Sequence, residues 1–462
     1  LSTALADVEL TLSYFAVSGE TVMAQTVQST LPKGTVKAII AGSIGNVVEW
    51  IDWSIYGLAA PFIAAQFFPK SNPVTSLLQT YGVFAIGFLV RPVGSMIIGP
   101  YGDKHGRNKA LALSILLMGG ATGAIGLVPT YATIGLFAPA LLILLRLVQG
   151  LALGGEWGAA SAFIYEIAPP NRRAFISSFR PCGTGMGFFV GSGFIALVTM
   201  IFTPAALQSW GWRVPFVLAF LTAVLGLYIR LQVQESPEFL KAKEAKTTSE
   251  KPLADSIKND KRGMAIVFGF GMIWNSVFYV LYTYMPVHLK TALSIPYSTA
   301  IRMTMVATFL YTAMVPFFGW IADKYDKKTL LSIATLGLAI LAYPGFRLIN
   351  TGNYWIALGV FSSFTILMGV FGGAAQVILA EQFPTGTRNT AMGVAYAIHN
   401  TLFGGTAPLT VAWMTAALHD TLAPAYYMAI CSVLGFIAVR YASYASDQEQ
   451  RQRTVLAGGA LR

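Results

Sequence analysis

Apolar stretches long enough to cross a bilayer recur along nearly the whole chain. About twelve are legible, near residues 37–66, 75–100, 109–128, 134–167, 174–202, 212–232, 263–289, 298–321, 329–346, 354–380, 388–416 and 424–444. A helix satisfies its backbone hydrogen bonds within itself, so a repeated apolar run of about 20 residues is what lipid permits a chain to do. The sequence therefore predicts an all-α membrane protein of about 12 transmembrane helices. Composition agrees: 55% of residues are hydrophobic and only 11% charged, against roughly 25% charged in an average soluble domain.

The formal charge of +11 points to membrane topology and away from nucleic acid. Lys33, Lys37, Lys104, Arg107, Lys109, Arg172, Arg173, Lys324, Lys327, Lys328 and Arg388 fall beside the N-terminal segment and in alternate loops, while the intervening loops show mainly Lys70 and Lys290. That asymmetry predicts that both termini are cytoplasmic. The expected organisation is a cytoplasmic segment at 1–36, a six-helix half at 37–232, a polar linker at 233–262, a second six-helix half at 263–445 and a tail at 446–462. Residues 1–22 lack a basic region followed by an apolar core, so no signal peptide is expected. Met23 precedes a short polar lead into the first span and is the expected native start, which N-terminal mass spectrometry would check. Cys182 and Cys431 fall in spans of different halves and are expected to pack as small apolar residues without a disulfide.

The halves repeat. Gly99-Pro-Tyr-Gly-Asp103-Lys104 matches Gly319-Trp-Ile-Ala-Asp323-Lys324 at an offset of 220, and Glu166-Ile-Ala-Pro-Pro-Asn-Arg172 resembles Glu381-Gln-Phe-Pro-Thr-Gly-Thr-Arg388 at an offset of 215. Two matches at similar offsets predict two parallel six-helix repeats with a transport path between them. At these residues the chain resembles the major facilitator superfamily: GPYGDKHGRNK at 99–109 is similar to its loop motif, and RLVQGLALGGEWG at 146–158 to its fourth-helix motif. GNVVEWIDWSIYG at 45–57, FLVRPVG at 88–94, QESPEFL at 234–240 and FGGTAP at 403–408 resemble the metabolite:proton symporter family, with its alpha-ketoglutarate, shikimate and proline/betaine permeases. The resemblance implies a multi-pass protein of a bacterial inner membrane that works by alternating access.

An ionisable side chain at the bilayer centre costs about 3 kcal/mol or more, so each one is a functional candidate. Asp52 lies near the middle of the first span with Glu49 one turn earlier on the same face, and Arg146 lies near the middle of the fourth. A carboxylate whose partner changes with conformation can take up and release a proton, which makes Asp52, Glu49 and Arg146 the proton-coupling candidates. The resemblance adds that related sugar:proton symporters carry a first-helix aspartate and a fourth-helix arginine at matching positions. The alternative is a permanent ion pair that fixes helix register. Arg91 and Arg180 have no acid on their own helices, and their planar forks suit a substrate carboxylate; pairing with Glu49 or Asp52 is the alternative for Arg91, and snorkelling for Arg180. Gln149, Tyr56, Tyr279, Tyr282, Tyr396, His399 and Asn400 complete the substrate-binding candidates as hydrogen-bonding groups at cavity depth.

Gly99, Asp103, Arg107, Glu166 and Arg172 are expected to form a cytoplasmic gate, with Asp323, Glu381 and Arg388 as the repeat's counterpart. Asp326-Lys327 stands where the first copy has Gly106-Arg107, so the second latch is expected to have decayed. GTGMG at 183–187 lies within an apolar span, lacks a preceding strand and a P-loop lysine, and is expected to serve helix packing. No nucleophile with a base and no metal-ligand spacing is present, so neither an enzyme nor a cofactor or metal is expected. The reading is import of a small organic acid, a mono- or dicarboxylate, by proton symport, with the bilayer as the other partner and the monomer as the working unit. A betaine- or proline-type osmolyte porter is the alternative, weighed against only about 20 residues after the last span where such porters carry a long tail. A non-transporting nutrient sensor is the alternative of another class.

Overall fold

The computed structural model describes residues 35–69, 72–105, 107–152, 161, 164–165, 168–231, 261–383 and 388–442, with backbone alone at 35–44, 95, 99–100, 102–105, 107–108, 111, 229–230 and 388–391. The expected N-terminal segment, linker and tail lie outside the described residues, except at their edges, as do Glu166 and most of the motif after Gln149.

The first half contains α1 (Thr35–Phe67), α2 (Pro73–Leu89), α3 (Arg91–His105), α4 (Arg107–Leu127), α5 (Phe137–Ala152), α6 (Arg173–Ile201) and α7 (Val214–Leu231). The second contains α8 (Lys261–Tyr279), α9 (Met285–Leu293), α10 (Tyr297–Ala322), α11 (Lys327–Ile349), α12 (Tyr354–Glu381), α13 (Arg388–His399), α14 (Ala407–Leu418) and α15 (Ala423–Tyr441). Among the described residues eight helical segments are long and apolar enough to cross a membrane. Pairs of helices in line make up interrupted spans, and the whole is the twelve-span bundle in two repeats. Leu116, Leu144, Phe309, Ile340 and Trp413 are exposed on the outside, an apolar surface that lipid covers.

Three spans are interrupted where local chemistry requires it. Pro92 lacks an N–H, and α2 ends at Leu89 before α3 restarts at Arg91. In the seventh and eleventh spans a wider π turn, Val280–Tyr284 and Asn400–Gly405, joins α8 to α9 and α13 to α14, each followed by a proline within two residues of the next helix start. A π turn re-aims side chains and is often found at functional sites.

Glycines let the helices that carry the charges approach closely. A methyl at Gly150 of α5 would lie 2.1 Å from the Gly87 carbonyl oxygen of α2. Gly185, Gly187 and Gly191 of α6 lie against Tyr311 and Thr312, Trp50 and Ser54, so the glycine stripe is a packing face.

Candidate functional site

Asp52 of α1 is buried and held by neutral donors. Thr122 of α4 donates its hydroxyl to Oδ1. Gln149 of α5 donates its amide to Oδ1 at 3.1 Å and Oδ2 at 2.9 Å, and also to the Thr122 hydroxyl at 2.8 Å. The Arg146 guanidinium is one step further off, 4.0 Å from Oδ2. None of its three nitrogens has a hydrogen-bond partner within the usual limits, and its Cζ lies 3.5 Å from the centre of the Tyr56 ring, a cation–π contact. Gln149 therefore belongs to the acid. Its Oε1 is unpartnered, so a flip of the amide would let it accept from a protonated Asp52, and one side chain can serve both protonation states.

The Tyr56 hydroxyl donates to the Thr80 carbonyl at 3.3 Å, and its ring supports Arg146. Glu49 stands 3.6 Å from Nη2 of Arg91. The Arg91 guanidinium lies over the rings of Phe88, at 4.4 Å, and Trp53, at 4.7 Å, and its Nε and Nη2 carry no hydrogen bond. The two acids of the first span thus serve separate clusters, although they are one turn apart.

Rings fill the seam between the halves. Phe188 and Trp50 of the first half meet Phe278 of the second at 4.8 and 6.2 Å, and Phe84 and Phe88 meet Tyr279 at 5.8 and 5.7 Å. The hydroxyls of Tyr279 and Tyr311 are buried there without partners, and that of Tyr282 faces Thr365. Such groups are costly to bury and suit a polar guest. Tyr396 packs its ring on His399 at 5.1 Å, and Asn275 contacts Nδ1 of His399 at 2.7 Å. Asn400 is fully buried with both amide atoms unpartnered. Arg180 is buried, and its carbonyl accepts from Asn46 at 3.0 Å.

At one end of the bundle Asp323, just after α10, accepts from the backbone N–H groups of Ala174 at 2.7 Å and Phe175 at 2.9 Å. A carboxylate on the first turn of α6 meets the positive end of the helix dipole. Burial lifts this carboxyl above its ordinary value, while the two N–H groups and the nearby Lys327 and Arg172 oppose the rise. Of the second copy's expected members Asp323 thus bridges the two halves although Asp326-Lys327 replaces the Gly-Arg step, because this contact needs only one acid and bare helix N–H groups. Asp326 instead caps α11 by accepting from Thr329 at 2.8 Å. Arg172 is exposed and Glu381 half-buried. Only the backbone is described at Gly99, Asp103, Arg107 and Arg388. Near the opposite end Tyr297 donates to the Leu58 carbonyl, so the halves touch on both sides of the polar layer.

Sequence reasoning missed Thr122, Asn275 and Tyr311. Asn275 carried a signal, an amide within an apolar span; a threonine or tyrosine there is ordinary.

A two-repeat helical bundle with charges buried inside one repeat defines a membrane transporter. The family model described as Major Facilitator Superfamily matches residues 42–408 and 279–461, and the chain belongs to that superfamily: it is a multi-pass transporter and not an enzyme. It is similar to the proline/betaine transporter of Salmonella typhimurium strain LT2, 32% identical over 87% of this chain and 82% of that one. It is also similar to the inner membrane metabolite transport protein YhjE of Escherichia coli K12, 36% identical over 82% of this chain and 87% of that one. Among solved structures the D-xylose-proton symporter superposes with a TM-score of 0.70 at 18% identity, over 88% of this chain and 97% of that one. That last likeness is one of fold.

Proposed function

We propose that this chain imports small zwitterionic solutes of the proline and betaine kind together with protons, by alternating access of its two halves, with both termini cytoplasmic. The observation that carries the reading is a buried Arg91, held by Glu49 only at 3.6 Å and with Nε and Nη2 free of hydrogen bonds, beside a wall of rings in which the hydroxyls of Tyr279 and Tyr311 are unpartnered. A carboxylate suits the guanidinium fork, and an ammonium suits aromatic faces. Relatives at about one-third identity, named as proline/betaine transporters, support the same substrate class. This moves the expectation from a mono- or dicarboxylate to a carboxylate that carries its own positive charge.

In this reading Asp52 carries the proton, Thr122 and Gln149 hold it, and Arg146 exchanges with them as the halves move. Arg91 takes the substrate carboxylate, and Asp323 and its repeat partner Asp103 latch the cytoplasmic side. The test is uptake into proteoliposomes under an imposed pH gradient of proline, glycine betaine, a dicarboxylate and a neutral sugar. Uptake of the two zwitterions is expected, with a loss of about tenfold or more in Arg91→Lys, whose ammonium lacks the bidentate fork. Transport confined to the sugar or the dicarboxylate would refute the reading.

A further inference from the structure

Resting on that reading, we infer that Asn275 and Asn400 form a seat for the ammonium end of the substrate, so that the preferred solute is an amino or imino acid with N–H bonds in place of a quaternary betaine. The seat lies where α8, which carries Asn275, packs against the π turn Asn400–Gly405. A methyl built on Gly404 would lie 2.5 Å from Oδ1 of Asn400, 3.2 Å from Oδ1 of Asn275 and 3.3 Å from the Tyr279 ring. Two amide oxygens and a ring edge therefore converge on one bare stretch of backbone.

The orientation of Asn275 follows from its partners. Its nitrogen donates to the Gly271 carbonyl at 3.0 Å and to Nδ1 of His399 at 2.7 Å, which uses both N–H bonds and leaves Oδ1 as a free acceptor. His399 accordingly keeps its proton on Nε2 and acts here as the acceptor that fixes the amide. Asn400 is fully buried, and neither of its amide atoms has a partner, an arrangement that is costly unless a guest completes it. Tyr279 adds a ring edge and an unpartnered hydroxyl.

The neighbouring glycine faces the ring that carries the arginine. A methyl at Gly405 would meet Phe88 at 2.8 Å, and the same ring carries the Arg91 guanidinium 4.4 Å from its centre. Phe88 also packs on Tyr279, with ring centres 5.7 Å apart, so the ring that borders the oxygens and the ring that carries the arginine are neighbours, an arrangement that suits a compact zwitterion with its carboxylate on Arg91. Acceptor oxygens reward N–H donors. A quaternary ammonium has none and gains only from the ring.

The experiment is competition for binding to the reconstituted protein by proline, N-methylproline and N,N-dimethylproline, which carry two, one and no N–H bonds on the same carboxylate frame. The expected result is a stepwise loss of affinity, about tenfold or more across the series. Asn400→Leu should bring proline down to the level of the dimethyl compound while changing the latter little, and Gly404→Ala should do the same by displacing the amide. Equal or tighter binding of the dimethyl compound by the unaltered protein would overturn the seat and leave the zwitterion reading intact. Failure of all three to bind would overturn both.

Discussion

Gly150→Ala is a severe test of how the site is built, because one methyl acts on the crossing that positions it. The added carbon would lie 2.1 Å from the Gly87 carbonyl oxygen and 3.0 Å from its carbonyl carbon, both backbone atoms that cannot swing aside. Ordinary contact begins near about 3.5 Å, so α2 and α5 must part by more than about 1 Å. Overpacking of this kind costs about 1–3 kcal/mol, partly offset by the higher helix propensity of alanine, about 1 kcal/mol. The net of up to about 2 kcal/mol corresponds to a thermal midpoint lower by up to about 8 °C in detergent or nanodiscs. Gln149 precedes Gly150 and holds Asp52 by contacts of 2.9 and 3.1 Å; the same displacement puts them beyond hydrogen-bonding range. Proton-driven uptake should fall on the order of 10- to 100-fold. Gly82→Ala on α2, where nothing lies within 4 Å of the new methyl, is the matched control and should keep both properties. A Gly150→Ala protein with an unchanged midpoint and full uphill uptake would show that close helix contact does not position the acid.

Other perturbations separate the parts of the mechanism. Asp52→Asn keeps shape and hydrogen bonding but cannot carry the proton, so uphill uptake should vanish while substrate exchange persists; normal accumulation in a pH-gradient assay would remove Asp52 from coupling. Asp323→Ala deletes the acceptor for Ala174 and Phe175 and should change turnover more than affinity, as a gate does; a large rise in Kd at constant turnover would contradict the latch. Burial raises the Asp323 carboxyl in the closed latch, so closing takes up protons. The closed population should be highest below the ordinary carboxylate pKa and decline as pH rises through the raised one, and a distance measurement between spin labels at Arg172→Cys and Tyr325→Cys reads this. Gly271→Ala would put a methyl 2.0 Å from Cγ of His399, turning the imidazole away from Asn275. Weakened substrate binding is expected, and unaltered affinity would make His399 a packing residue.

Helix number, span positions, the repeat and the buried charges were legible in the sequence, because hydropathy and charge are properties of each segment alone. Lipid forces an apolar run into a helix wherever it sits, and an aspartate at its centre is conspicuous before any neighbour is known. The partners were decided by the tertiary structure. Asp52 is claimed by Thr122 and Gln149 at hydrogen-bond distance, with Arg146 at 4.0 Å, because the glycine crossing of α2 and α5 fixes where those side chains end. Asp323 reaches the start of α6 whatever follows it in the motif, because helix-end N–H groups are supplied by backbone and leave no mark in the sequence. The seat at Gly404 exists only where the packing of α8 against the π turn of the eleventh span brings Asn275 and Asn400 together. The spans are set by local transfer free energy, and the site by how the helices pack.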